Sequence, residues 1–535
     1  MPPFGHQHRP FGLDKTVAVI GTGISGICVA AHLLKQGLRV TVYERSGVAG
    51  GVWHYDERVS DDVPYPNTTP SRGDYRVSER GEFACATETP NHLGNAHGGV
   101  NIGGSEGVPI REVEFAPPGP CYAGLKNNVP TSVMASSLDS WPKGTEAHVS
   151  QRLVEQYIQG LSKKFGVDAV TLYHTRVDEA RKTMDGLKWE IRSVTLEKLG
   201  TGARLVEKVA QFDLLVVASG HYNMPRVPDI EGLKDWKAAY PDRVTHSKRY
   251  RTPEMYRHRN VLVIGGGVSA LDICRELDGV AKKTYQSVRG GQFDLSETLL
   301  PPSAVRVAEV ERFALRKEPS HGNGHDGLEE EEPVAGSVIL KDGRVLDDID
   351  YVVLATGYIT SYPFLSQLHS DTAAITEAGE ELIVTSDGDM AHNLHRDIFY
   401  INDPTLAFVG VPYHVATFSL FDFQAQAVAR VFAGRTRLPI REEMRREYEK
   451  RVQEKGLGRA FHSLWAPGHE ITYVQELVDW VNRCGLETGE EITDPMQPHS
   501  EEWRREYGEL KAKLLGVRGS LLGPTVVGKN LESES

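Results

Sequence analysis

Five cysteines in 535 residues is few, and Cys28, Cys85, Cys121, Cys274 and Cys484 nowhere form a CxxC pair. Their odd number and wide spacing exclude a disulfide framework, fit a reducing compartment and leave no local dithiol for redox chemistry. Long apolar runs are also missing. Nothing approaches the roughly 20 residues of a membrane span, and Met1 to His8 lacks the apolar core of a signal peptide. No apolar anchor follows Glu501, so a soluble, cytoplasmic protein is expected. Positive charge is in deficit, with 60 Lys and Arg against 73 Asp and Glu and a net charge of -13. The basic stripe that a phosphate backbone demands is therefore absent, and no nucleic-acid partner is expected. With 40% hydrophobic and 25% charged residues, the composition suits a globular chain of two or three domains.

What the chain has in its place is two glycine-rich loops, Gly21-Thr22-Gly23-Ile24-Ser25-Gly26 and Gly265-Gly266-Gly267-Val268-Ser269-Ala270. Around the first, Lys15 to Ile20 reads as a buried strand, Ile24 to Lys35 as a helix and Leu38 to Tyr43 as a second strand ending on Glu44. In such a βαβ unit the glycines let backbone approach a pyrophosphate, the helix N-terminus supplies N–H groups, and the acid accepts from ribose hydroxyls. The second loop follows the strand Asn260 to Ile264 and opens a helix from Val268 to Leu277 that carries Asp272. The strand after it, Thr284 to Val288, ends on Arg289 where an acid is usual. Arginine there can pair with a 2′-phosphate, which favours NADPH over NADH.

An internal repeat supports two nucleotide units. Asp213-Leu214-Leu215-Val216-Val217-Ala218-Ser219-Gly220 has a near copy in Asp350-Tyr351-Val352-Val353-Leu354-Ala355-Thr356-Gly357. Each copy follows a predicted hairpin, the first turned at Gly200-Thr201-Gly202 and the second at Asp342-Gly343. Residues 54–121 are irregular and rich in Gly and Pro, which reads as a lid anchored by Tyr65, Tyr75, Phe83 and Phe115, or as a disordered insertion. Ser150 to Phe165 is predicted helical. The charged run Arg441 to Lys450, with Met444, Tyr448 and Val452 at four-residue spacing, reads as a solvated helix face.

Together these motifs resemble the flavin-containing monooxygenases, from about Lys15 to Ala433. Gly50-Gly51-Val52-Trp53 is similar to the family's GGxW segment. Tyr122-Ala123-Gly124-Leu125-Lys126-Asn127-Asn128-Val129-Pro130, with Met134, is similar to its YxxLxTNxPxxxM segment, which puts Asn128 on the flavin-facing asparagine. The signature FxGxxxHxxxY is met by His246 and Tyr250, whereas Tyr240 and Asp242 replace its Phe and Gly. Ala355-Thr356-Gly357-Tyr358 resembles the ATGY element, and Phe418 to Gln424 resembles the late segment whose Gln approaches the flavin.

The resemblance implies an α/β fold of two Rossmann-like domains with the NADPH domain inserted into the FAD domain. Residues 1–223 and 358–535, the latter with a C-terminal helical tail, would bind FAD, and residues 224–357 would bind NADPH. Gly21, Gly23, Ile24, Ser25, Gly26, Glu44, Gly51, Val52, Trp53, Asn127, Asn128 and Gln424 would serve FAD; Gly265, Gly267, Ser269, Ala270, Asp272 and Arg289 would serve NADPH; no metal is expected. The implied reaction forms a C4a-hydroperoxyflavin, shielded with the help of Asn128 as the catalytic residue. One oxygen atom then passes to nitrogen or sulfur of a small organic substrate, as in N,N-dimethylaniline monooxygenase activity. A Baeyer-Villiger enzyme would be expected to carry Trp at position 250. That reading, an NADPH-dependent flavin reductase and a non-catalytic scaffold remain the alternatives, and a homodimer stays open.

Overall fold

The computed structural model describes residues 11–75, 100–101, 112–199, 202–316, 334–486 and 494–515. The first βαβ unit has almost its predicted ends: β1 (Thr16–Ile20), α1 (Ile24–Lys35) and β2 (Arg39–Tyr43). β1 pairs in parallel with β2 and, on its other edge, with β3 (Leu214–Val217), the first copy of the repeat. These strands are covered on both faces, so they read as continuous apolar runs rather than alternating ones. The sheet reaches seven strands by adding Thr171–Leu172 beside β2 and Leu394–His395, Phe399–Tyr400 and Leu406–Phe408 beyond β3. Its two sides thus come from distant parts of the chain.

The second unit is β4 (Asn260–Ile264), α2 (Val268–Glu276), β5 (Lys283–Ser287) and β6 (Tyr351–Leu354), within a parallel five-stranded sheet completed by Val244–His246 and Ala304–Val307. The duplication extends to single hydrogen bonds. Asp213 accepts from the Thr16 backbone N–H at 2.9 Å, and Asp350 accepts from that of Asn260 at 2.8 Å. Ala218 donates to the Ile20 carbonyl and Ala355 to that of Ile264; Gly21 donates to Tyr43 and Gly265 to Ser287. The repeat seen in the sequence is therefore a repeat of architecture. Between the sheets the chain crosses at Met224–Pro225 and returns at Tyr358–Ile359, and these two segments pair antiparallel.

Both predicted hairpins form. Trp189–Leu199 pairs with Gly202–Phe212, and Gly336–Leu340 pairs with Val345–Leu346 around Asp342-Gly343. The predicted helix after Ser150 is present as Gln151–Lys164. α3 (Thr417–Phe432) is buried almost throughout and packs on α1. Asp422 of α3 lies 2.8 Å from His32 Nε2 of α1 and accepts from Ser136 Oγ at 2.9 Å. Burial alone would raise the Asp422 carboxyl, but these partners, His32 first, hold it down at about 2. α4 (Arg441–Lys455) buries Met444 and Tyr448, as its spacing predicts, and turns most of its charges outward, with Arg451 directed inward onto buried Asp397. α5 (His469–Leu486) and α6 (Glu501–Leu515) complete the C-terminal part. None of the described helices is long and apolar enough to cross a membrane.

Candidate functional site

Both glycine loops open on one cavity of about 1450 Å³. The first glycine of each loop is required by its own fold. Gly21 has φ +104° and Gly265 φ +141°, and a Cβ would stand 2.6 Å from the Ala218 carbonyl oxygen in one case and 2.3 Å from that of Ala355 in the other. Gly26 is needed for packing, since its Cβ would meet the Gly21 carbonyl oxygen at 1.9 Å. The middle glycines are different. Gly23 and Gly267 are the N-caps of α1 and α2, both have extended backbone, and neither has a side-chain cap. A Cβ on Gly23 would find nothing closer than 3.7 Å, and one on Gly267 nothing within 4 Å. Neither packing nor backbone strain requires a missing side chain there, whereas a ligand drawn against the helix N-terminus would. The residues therefore fit two nucleotide cofactors.

The chain ends of β2 and β5 supply opposite charges to this cavity. Glu44 accepts from the Thr22 N–H and hydroxyl at 2.9 and 2.7 Å through one oxygen, and from the Ser46 N–H and hydroxyl at 2.8 Å each through the other. The backbone donors fix the carboxylate, and the two hydroxyl hydrogens can turn aside for ribose hydroxyls. Arg289 is exposed on the cavity wall just past β5.

Most of the other predicted residues also reach the wall. Ile24, Ser25, Ser269 and Asp272 line it, and Gly51-Val52-Trp53 forms a single helical turn along it. Asn127 and Asn128 separate in role. The Asn127 amide is spent on the backbone, donating to Val129 and Ala147 at 2.7 and 2.8 Å and accepting from Val149 at 2.5 Å. It thereby shapes the loop that holds Asn128 exposed to the cavity.

Three predicted residues stand off the wall. Gly26 and Ala270 are packed inside α1 and α2. Gln424 is wholly buried; it accepts from Gly410 N–H at 2.9 Å and donates to Tyr473 at 2.8 Å, so it meets the cavity only through Gly410.

The His246 and Tyr250 pair proves structural. His246 Nδ1 accepts from the Lys248 N–H at 3.1 Å, which leaves Nε2 to donate to the Gly357 carbonyl at 3.0 Å. Burial pushes its pKa down to about 3, so the ring stays neutral. Asp242 does not have positive φ, so replacing the family's glycine strains nothing. Tyr250 donates to Glu276 at 2.9 Å, and Tyr122 donates to Asp272 at 3.0 Å. Burial raises both carboxyls.

Sequence reasoning missed Asp74, within the irregular segment. Arg45 grips both its oxygens at 2.7 and 2.8 Å, and buried Lys248 reaches it at 2.9 Å. Burial by itself would raise the Asp74 carboxyl, yet Arg45 and then Lys248 hold it well below the usual range. This clamp ties the end of β2 to the segment carrying His246. Tyr75 and Phe115, anchors of the irregular segment, also line the cavity; Phe83 lies outside the described residues. Arg459, between α4 and α5, is a second omission on the cavity wall. A lone acid and a lone arginine carry no local pattern that would have singled them out.

Comparison with known proteins adds the following. A model of the flavin-binding monooxygenase-like family matches residues 122–307 and 330–487, and one of the NAD(P)-binding Rossmann-like domain matches residues 19–74. The flavin-containing monooxygenase ustF2 of Aspergillus flavus is 41% identical over 486 residues, covering 87% of this chain and 91% of that one. Senecionine N-oxygenase of Tyria jacobaeae is 25% identical over 441 residues, 82% of this chain and 75% of the relative. Among solved structures, S-allyl-L-cysteine S-oxygenase from Allium sativum shares the fold with a TM-score of 0.64 at 22% identity, over 93% of this chain and 92% of that one.

Proposed function

Because this chain belongs to the flavin-binding monooxygenase-like family, we propose that it holds FAD at the first glycine loop and NADPH at the second, and transfers one oxygen atom from O2 to nitrogen or sulfur of a small organic substrate. The observation that carries the reading is the matched pair of cradles at Gly23 and Gly267, opening on one cavity and followed by Glu44 in one case and Arg289 in the other. Gly21, Gly23, Ile24, Ser25, Glu44, Gly51 to Trp53 and Asn128 would hold FAD, with Gly26, Asn127 and Gln424 supporting that wall. Gly265, Gly267, Ser269, Asp272 and Arg289 would hold NADPH, with Ala270 packing behind them. The NADPH part would be residues 224–357, set between FAD-binding residues 1–223 and 358–535. A cytosolic protein, alone or as a homodimer, suits this reading.

Bound flavin, reduced by the nicotinamide, supplies the oxygen-activating chemistry. The protein's share is to bind, orient and keep water out. Asn128 offers an amide to the cavity from a loop that Asn127 makes rigid, which suits it to a positioned hydrogen bond beside the reacting atoms. Tyr250, where a Baeyer-Villiger enzyme would carry Trp, favours a heteroatom acceptor. A disulfide-reducing flavoprotein would need accessible thiols. Among the described residues Cys28, Cys121 and Cys274 are buried, burial pushes Cys121 and Cys274 up to about 12, and the half-buried Cys484 is not on the cavity wall.

The purified protein should release FAD, and anaerobic NADPH should bleach the bound flavin. Readmitting oxygen with a panel of amines, sulfides and ketones should give an N-oxygenated product or a sulfoxide in step with NADPH consumed. An ester or lactone from a ketone would move the reading to Baeyer-Villiger chemistry, and bleaching without any oxygenated product would overturn it.

A further inference from the structure

We infer that Arg459 and Tyr413 form a carboxylate-binding subsite, so that the substrate of the proposed reaction is an amine or sulfide carrying a carboxylate. The inference rests on the monooxygenase reading and adds a substrate class to it. Arg459 lies in the segment between α4 and α5 and comes onto the cavity wall beside the end of β6. Its two terminal nitrogens are 3.0 and 3.1 Å from where a side chain on Gly357 would begin. Its positive charge is felt by His221, Arg226, Tyr413 and His414.

Among the described residues no carboxylate pairs with this guanidinium. Asp389, on the same wall, is taken by Arg226 at 2.7 Å. Lys511, another cation on this wall, is committed, for its Nζ donates to the His414 carbonyl at 2.8 Å. His414 cannot supply charge, since burial, with Lys511 and Arg459 adding to it, lowers its pKa to about 4.

A second observation points the same way. The Tyr413 hydroxyl is buried with no hydrogen-bond partner among the described residues, although its ring stands on the cavity wall. An unpaired arginine and an unpaired phenol leave unmet the donors that a carboxylate would satisfy: a planar fork for its two oxygens and one more O–H. Leaving a buried hydroxyl unpaired is unfavourable, so a ligand that completes it gains selectivity over one that cannot. Phe293 and Trp465 both pack against His414, at 4.7 and 5.1 Å between ring centres, giving the same wall an apolar part for the rest of such a molecule. Cofactor phosphate is the other source of an anion. It already has the α1 and α2 N-termini and Arg289.

The test uses the flavin-loaded enzyme with NADP+ and three thioether acids of increasing length, each against its methyl ester, read by calorimetry. At least one acid should bind about tenfold or more tightly than its ester, the range of a charge-assisted pair. Arg459→Gln should abolish that preference, Arg459→Lys should restore part of it, and Tyr413→Phe should weaken it. Ester binding, NADP+ affinity and the rate of flavin bleaching by NADPH should change less than about twofold, within ordinary surface-mutation scatter. Equal binding of acids and esters, or no binding of either, overturns the inference. So does an Arg459→Gln variant whose NADP+ affinity falls in place of acid binding, since Arg459 would then belong to the cofactor. Oxygen transfer in the unmodified enzyme is followed separately, so absence of product with acid preference intact would fault the monooxygenase reading and leave the subsite standing.

Discussion

Replacing the middle glycine of each loop by alanine separates what the fold needs from what a ligand needs. A methyl group on Gly267 would enter open space, and one on Gly23 would meet only Gly51 Cα at 3.7 Å, an ordinary contact. Both residues have extended backbone that alanine adopts freely. The cost to folding is then only the poorer N-cap, about 0.5–1 kcal/mol, or a few degrees of Tm at most for a chain this long. The cost to the ligand is larger, because the added carbon takes the place where a pyrophosphate must touch the helix N-terminus. Overpacking of that kind costs about 1–3 kcal/mol, or roughly 5- to 150-fold in affinity. Gly267→Ala should therefore keep its flavin, melt normally and show a KM for NADPH raised by that factor. Gly23→Ala should melt normally as an apoprotein and recover flavin only at higher added FAD. Flavin content from absorbance, NADPH kinetics and thermal melts suffice. Gly267→Ala that loses flavin while Gly23→Ala loses NADPH affinity would reverse the assignment, and two variants with unchanged cofactor binding would refute the cradle argument altogether.

Arg289→Gln should raise the KM for NADPH about 10- to 150-fold, the worth of one charge-assisted pair with phosphate, with the KM for NADH nearly unchanged; equal effects on both would remove Arg289 from the 2′-phosphate. Asn128→Ala should keep flavin and NADPH oxidation but divert electrons to hydrogen peroxide, and unchanged coupling of NADPH to product would sink the catalytic assignment. Glu470 is buried beneath α6, where it accepts from Ala416 N–H and the Tyr507 hydroxyl. Burial raises its pKa to about 7, so the stability tied to its proton is complete below its unfolded pKa of 4.5 and is lost as pH rises through about 7. Glu470→Gln should thus gain relative to the unmodified protein between pH 5.5 and 8.5, by at most about 2 kcal/mol, since only the part of the shift above pH 5.5 is read. Parallel denaturation curves at the two pH values would refute this.

The parts of the fold legible in the sequence are those whose cause is local. β1, α1 and the second loop end within a residue or two of their predicted limits because strand, glycine turn and helix start each have a short-range physical reason. The Asp213 and Asp350 repeats were equally visible, since each aspartate caps the neighbouring strand in the same register. What the sequence concealed was division of labour within a motif. Asn127 and Asn128 are adjacent, yet one is consumed by its own loop and the other is left to the cavity. Gln424 was placed in the right neighbourhood but lies behind Gly410, because it sits beyond Thr417, Phe418 and Phe421, the α3 residues on the cavity wall, and its amide is spent on Gly410 and Tyr473.

The same distinction explains why cofactor type was legible and substrate class was not. A dinucleotide is gripped by backbone, and backbone exposure is written into consecutive residues as glycines between a strand and a helix. A substrate anion is gripped by side-chain donors gathered from distant segments. Tyr413 precedes α3, Arg459 follows α4, and Gly357, which the guanidinium faces, closes β6. None of the three has a pattern around it. Their significance lies in what they fail to find, a carboxylate for Arg459 and an acceptor for the Tyr413 hydroxyl. Such a deficit exists only once the chain has folded and every other partner has been assigned. Charge neutrality and hydrogen-bond completeness then point to the proposed subsite, just as open space at Gly23 and Gly267 points to the proposed cofactor cradles.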